Sequence, residues 1–170
     1  MDLKEKIREI PDFPEKGILF RDITTLLKDG EAFKYAVDEI KNEIRDIDFN
    51  VIVGPESRGF IVGTPLSYAL GKGFVPIRKP GKLPSTTIRY DYSLEYGADS
   101  LEIHADAISP GDRVVIVDDL MATGGTFTAA IKLVEKLGGE VAALAALIEL
   151  EDLKGREKFK DYNVITLIKY

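Results

Sequence analysis

RVVIVDDLMATGGTFTAA, residues 113–130, decides the reading of this chain. Val114-Val115-Ile116-Val117 is an unbroken run of apolar β-branched side chains, the mark of a strand buried on both faces. It runs into two adjacent carboxylates, Asp118 and Asp119, where the strand is expected to end. A turn of small residues follows, Ala122-Thr123-Gly124-Gly125-Thr126. Phe127, Ala130, Ile131, Val134 and Leu137 then recur every three or four residues, which predicts a helix. This order sets unpaired backbone N–H groups and the positive end of a helix beside two negative side chains. A phosphate fits the loop, while the carboxylates face hydroxyl groups, a metal, or both. A sugar phosphate carries both kinds of group.

The flanking segments repeat the pattern. Phe49 to Val53 is a second short apolar strand, running into Gly54-Pro55-Glu56-Ser57-Arg58-Gly59 and then a helix whose regularity Pro65 limits. Ligands of open α/β sheets gather at such strand ends. Gly73 to Lys79 predicts a third strand tipped by Arg78 and Lys79, with Pro76 marking either an imperfect ladder or a place near an edge. Residues 80–87 are rich in proline and glycine and read as a mobile loop. Arg78, Lys79 and Lys82 form the densest basic patch beside the predicted ligand edge. Weak alternation over residues 86–104 predicts a two-stranded antiparallel excursion that carries this loop, and His104 at its end reads as an ordinary surface histidine. Val141 to Leu150 predicts a buried strand after the crossover helix, Leu153 to Phe159 a short helical turn, and Asn163 to Ile168 a last strand. Upstream, Leu3, Ile7 and Ile10 predict a short amphipathic helix ended by Pro11. Phe13, Leu19 and Phe20 read as core packing around Arg21, a cation that needs a partner in apolar surroundings. Phe33, Val37, Ile40 and Ile44 mark one face of a scaffold helix over residues 31–44.

Composition bounds the function. With 170 residues, 45% of them apolar and 31% charged, the chain suits a single folded domain, residues 1–170. No segment approaches a membrane span, and no secretion signal is expected. Cysteine is absent, which excludes disulfides and thiolate metal sites and makes a cytoplasmic location the expectation. A net charge of -6 argues against a general nucleic-acid binder, while a local basic cluster can still hold a small anion. Neither GxxxxGK[ST] nor GxGxxG occurs.

Taken together, these segments resemble the type I phosphoribosyltransferases over residues 10–150. VVIVDDLMATGGT is similar to the family's phosphoribosyl diphosphate (PRPP) signature. FPEKGILFRDIT and LEYG, residues 94–97, are similar to its adenine branch. The resemblance implies a central, mostly parallel twisted sheet flanked by helices, an N-terminal hood over residues 1–27 and a hairpin-like catalytic lid over residues 79–100. It implies transfer of the 5-phosphoribosyl group of PRPP to N9 of adenine, giving AMP and diphosphate in purine salvage, with Mg²⁺ as cofactor and a homodimer as the assembly. Ala122, Thr123, Gly124, Gly125 and Thr126 would hold the 5-phosphate. Ser57, Arg58, Arg78, Lys79 and Lys82 would hold the diphosphate, and Leu19, Phe20 and Arg21 the base. The loop over residues 149–153 would line the base pocket. Glu95, Asp118, Asp119 and Arg58 are the expected catalytic set. Mg²⁺ would be held mainly by PRPP, near Asp118 and Asp119. The same scaffold also admits a hypoxanthine or guanine enzyme. A PRPP-sensing regulator without catalysis would need a nucleic-acid surface, and neither a winged-helix segment nor a long basic stripe is present.

Overall fold

The computed structural model describes residues 1–94 and 97–170. Two compact units emerge, Met1–Glu39 and Ile40–Tyr170.

The first unit starts with a 3-10 turn, Lys4–Lys6, and a two-stranded antiparallel ribbon of β1 (Arg8–Ile10) and β2 (Phe20–Asp22). The amphipathic helix expected over residues 3–10 therefore does not form. Its apolar residues also fit a turn followed by a strand, and cross-strand pairing decides between them. Arg8 lies opposite Asp22 and bonds it at 2.5 Å, while Glu9 lies opposite Arg21 and pairs with it. Phe13 and Leu19 are not core residues, being 49% and 42% exposed. Phe13 instead packs edge to face on half-buried Phe20, with centroids 5.1 Å apart. A short helix α1 (Thr24–Lys28) leads to α2 (Gly30–Ile44), whose N-terminus is capped by Asp29 accepting the Ala32 N–H at 3.1 Å. The helix is as expected, though Ala32 and Ala36 are buried with Ile40 and Ile44 while Phe33 and Val37 are only half-buried.

The second unit is built on β3 (Val51–Pro55), α3 (Arg58–Leu70), β4 (Gly73–Ile77), β5 (Thr87–Leu94), β6 (Gly97–His104), β7 (Arg113–Met121), α4 (Gly125–Lys136), β8 (Glu140–Glu149) and β9 (Val164–Lys169). Five of these strands form one sheet in the order β4-β3-β7-β8-β9, with every neighbouring pair parallel. β5 and β6 form the separate antiparallel hairpin that alternation predicted, and His104 at its end accepts the Ser85 N–H at 3.3 Å. β4 is the edge strand, where Pro76 is tolerated for want of a neighbour on its outer side.

Side chains alternate across the sheet. Val53, Val114, Ile116, Leu144 and Ala146 join Phe127, Ala130, Leu133 and Val134 of α4 in one buried core. On the other face α3 comes close enough that a methyl group on Gly63 would meet the Phe74 ring at 2.7 Å and Ile52 at 3.6 Å. β7 runs on to Met121, so Asp118 and Asp119 lie within the strand and not at its tip. Its partner β8 extends alongside, pairing Leu120 with Ile148 and Met121 with Glu149.

Candidate active site

The parallel sheet changes direction at β3 and β7. From β3 the chain steps through α3 to β4 on one side, and from β7 it steps through α4 to β8 on the other. Helices thus diverge at neighbouring strand ends and leave a crevice, the usual ligand position of an open α/β sheet. A cleft of about 260 Å³ occupies this point, lined by Arg58, Asp118, Asp119, residues 122–126 and the hairpin residues Tyr92 and Asp99. The two acids and the glycine loop that drew attention in the sequence share one cavity with the arginine of the preceding turn.

Asp119 is 4% exposed, and its Oδ2 accepts Arg58 Nε at 2.9 Å. Asp118 remains partly open to the cleft and accepts the Asp119 N–H on Oδ1 at 2.8 Å. Burial, with the Asp119 charge beside it, pushes the Asp118 pKa well up. Burial also raises Asp119, against the pull of Arg58. α3 begins against these acids, since a methyl group on Gly59 would lie 3.1 Å from Asp118 Oδ1. Ser57, exposed, takes the cap position of that helix, and the Glu56–Ser57 peptide is cis.

In the glycine loop Gly124 adopts a left-handed conformation (φ 88°) at the start of α4, with no side chain capping the helix. The first helical bond is the Thr128 N–H to Gly124 O, at 2.9 Å. The N–H groups of Gly125, Thr126 and Phe127 therefore precede the helical ladder at the wall of the cleft. An anion there gains from both these donors and the helix dipole. The 3-10 turn Gly155–Phe159 buttresses the loop from behind. A methyl group on Gly155 would sit 2.2 Å from Ala122 O, and one on Gly124 would meet the Phe159 ring at 2.9 Å. No local pattern in the sequence marks Gly155 as part of this loop.

Each cation of the expected diphosphate set has an internal carboxylate partner. Glu56 accepts Arg78 Nε at 3.1 Å, Lys82 Nζ at 3.1 Å and the Lys79 N–H at 2.8 Å. Burial opposes the Glu56 charge, but the Lys79 N–H and the Lys82 and Arg78 cations outweigh it and hold the carboxyl below its usual range. Lys79 Nζ pairs with Asp99, which also accepts the Tyr92 O–H at 3.1 Å. Glu56 was legible only as a charged residue in a strand-end turn, and Tyr92 and Asp99 only as parts of an alternating stretch. Their meeting depends on the hairpin register, which sets them directly opposite each other.

Of the expected base-binding residues, Leu19 is exposed and Phe20 and Arg21 lie in β2, where Arg21 pairs with Glu9. Glu95 lies outside the described residues. Within the segment expected to line the base pocket, Glu149 is 4% exposed and is locked by Arg156 at 2.5 and 2.8 Å and by the Thr166 hydroxyl at 2.6 Å. It anchors the chain after β8 to β9. Among the described residues no three His, Cys, Asp or Glu side chains converge as a metal cage. The oxygen donors at the cleft, Asp118 and Asp119, suit a divalent ion that takes most of its shell from phosphate oxygens and water, as Mg²⁺ does.

Fold and cleft together define the class: residues 24–170 match the phosphoribosyl transferase domain family. The chain is 61% identical over 170 residues to the adenine phosphoribosyltransferase of Alkaliphilus metalliredigens, covering 100% of both. It is 61% identical over 168 residues to that of Halothermothrix orenii, covering 99% of each. The crystal structure of the Thermoanaerobacter pseudethanolicus adenine phosphoribosyltransferase superposes with a TM-score of 0.97 at 57% identity, covering 99% of this chain and 98% of that one. The Saccharomyces cerevisiae enzyme, crystallised with an imino-altritol bisphosphate and adenine, gives 0.90 at 41% identity, covering 97% and 96%. The chain belongs to the adenine phosphoribosyltransferase family.

Proposed function

We propose that the cleft between β3 and β7 performs transfer of the 5-phosphoribosyl group of PRPP to N9 of adenine, yielding AMP and diphosphate. The observation that carries this reading is the union in one cavity of an uncapped helix N-terminus, two adjacent acids and an arginine. In the reaction the bond from the anomeric carbon to the diphosphate oxygen breaks, the bond to N9 forms, and N9 loses its proton. Positive charge develops on the ribose, as in glycoside chemistry.

The N–H groups of residues 122–126 and the Thr123 and Thr126 hydroxyls anchor the 5-phosphate, which fixes the sugar for in-line attack. Asp118 and Asp119 accept bonds from the ribose hydroxyls and stabilise the cationic sugar. Ser57, Arg58, Arg78, Lys79 and Lys82 receive the departing diphosphate, the four cations exchanging their internal carboxylate partners for it. Asp118 and Asp119 are the protein oxygens nearest to where Mg²⁺, held mainly by PRPP, would neutralise charge on that leaving group. Leu19, Phe20 and Arg21 contact the base, and Glu95 takes the N9 proton or orders the lid over residues 79–100. The hood covers residues 1–27.

A homodimer belongs to the same reading, supported by α3, which exposes Ile61 (39%) and Tyr68 (92%) on its outer side. So does a cytoplasmic location, supported by the lack of cysteine. Among the described residues no helix is long and apolar enough to cross a membrane.

Steady-state transfer with PRPP, Mg²⁺ and each of adenine, hypoxanthine, guanine and xanthine, followed by diphosphate release, tests the assignment. The expected result is a kcat/KM for adenine about a hundredfold or more above the others, roughly 3 kcal/mol of discrimination. Preference for an oxopurine would overturn the base, and PRPP binding without transfer to any base would overturn the catalysis.

A further inference from the structure

Tyr92 forms part of the cleft wall and has no role in the scheme above. It stands in β5 directly opposite Asp99 of β6. Its ring lies over the first residue of α4, where a methyl group on Gly125 would touch it at 3.5 Å. The phenol O–H donates to Asp99 Oδ2 at 3.1 Å, and Tyr92 and Thr126 line the same cleft. The phenol thus stands between the hairpin and the glycine loop. Asp99 does not depend on it, because the carboxylate also pairs with Lys79 and accepts the Ser100 N–H at 2.8 Å. Burial and the Asp99 charge push the Tyr92 pKa up to about 12, so the oxygen keeps its proton at neutral pH.

The geometry points to Tyr92 as a phosphate-binding residue that closes the hairpin side of the glycine loop. With a phosphomonoester in the loop, the phenol O–H leaves Asp99 and donates to a phosphate oxygen. With a phosphomonoester and no diphosphate bound, Asp99 remains satisfied by Lys79 and the Ser100 N–H. The phosphate, bearing a fuller charge, is the stronger acceptor. The loop's own N–H groups reach the anion from the α4 side, and Tyr92 reaches it from the hairpin, completing its ring of donors. This inference rests on the reading of residues 122–126 as the phosphate site.

Tyr92→Phe keeps the ring over Gly125 and removes only the hydroxyl. Ribose 5-phosphate and inorganic diphosphate are titrated calorimetrically into the wild type, Y92F and Thr123→Glu, which sets a carboxylate at the loop. Y92F is expected to bind ribose 5-phosphate about tenfold more weakly, the effect of losing one hydrogen bond to a charged group. Its diphosphate affinity and thermal midpoint stay those of the wild type. Ribose 5-phosphate affinity within about twofold of wild type, or equal losses for both ligands, overturns the role of Tyr92. If T123E leaves ribose 5-phosphate binding intact, the loop is not the phosphate site and the proposal falls with it. If T123E abolishes binding while Y92F matches the wild type, the loop reading stands and Tyr92 alone is excluded.

Discussion

Asp118 costs the fold stability: its carboxyl is buried against Asp119, which raises its folded pKa above the unfolded value, so protonation favours the folded chain. Above the unfolded carboxylate pKa this side chain is therefore destabilising. Asp118→Asn keeps an oxygen to accept the Asp119 N–H and removes the titrating group. The variant is expected to unfold about 2–4 °C above the wild type at pH 7, the shift that roughly 1 kcal/mol produces in a chain of this size. Below the unfolded carboxylate pKa of about 3.9 both side chains are neutral and the difference vanishes; it grows as pH rises from there to the raised Asp118 value and is constant above it. Turnover should fall about a hundredfold in the same variant if Asp118 stabilises the cationic ribose. Thermal unfolding across pH, set beside kcat, checks both halves. A less stable D118N at neutral pH would contradict the electrostatic account.

At the scale of elements, the glycine loop owes its shape to a turn beyond β8. Gly155 packs so tightly that a single methyl group would overlap the Ala122 carbonyl at 2.2 Å, and backbone on both sides must yield. Gly155→Ala should lower stability by about 1–3 kcal/mol, the usual cost of overpacking. By displacing residues 122–124 it should also raise the KM for PRPP about tenfold or more, with the adenine KM less affected. Urea unfolding and steady-state kinetics measure the two effects. An unchanged PRPP KM would show that the loop keeps its form without this buttress. The Glu149–Arg156 pair works at the same scale, binding the segment that carries Gly155 to the ends of β8 and β9. Burial opposes the Glu149 charge, but the Arg156 fork, the largest influence, lowers its pKa.

For the molecule as a whole, the exposed side of α3 bears on assembly. A helix apolar on nearly all sides is normally covered, and Ile61 and Tyr68 are not. Tyr68→Glu is expected to shift a dimer toward monomer in sedimentation velocity, while the isolated fold, to which this 92% exposed side chain contributes little, keeps its thermal midpoint to within about 2 °C. A wild-type chain that sediments as a monomer would refute the homodimer outright.

The sequence by itself determined the strands of the five-stranded sheet, the helix after the glycine loop and the antiparallel excursion. These depend on local periodicity and turn chemistry, which survive in any short window. It also marked Asp118, Asp119, Arg58 and the loop over residues 122–126, because charged and small residues next to an apolar run are a local signal too. The tertiary structure alone decided the rest. Residues 3–10 became a turn and a strand because pairing with residues 20–22 outweighed a helical spacing only two turns long. Lys79, Arg78 and Lys82 met Asp99 and Glu56, and Gly155 met Ala122, through register and packing between segments far apart in the chain. Such contacts leave no periodic trace, since each partner is an ordinary residue until the fold brings the other to it.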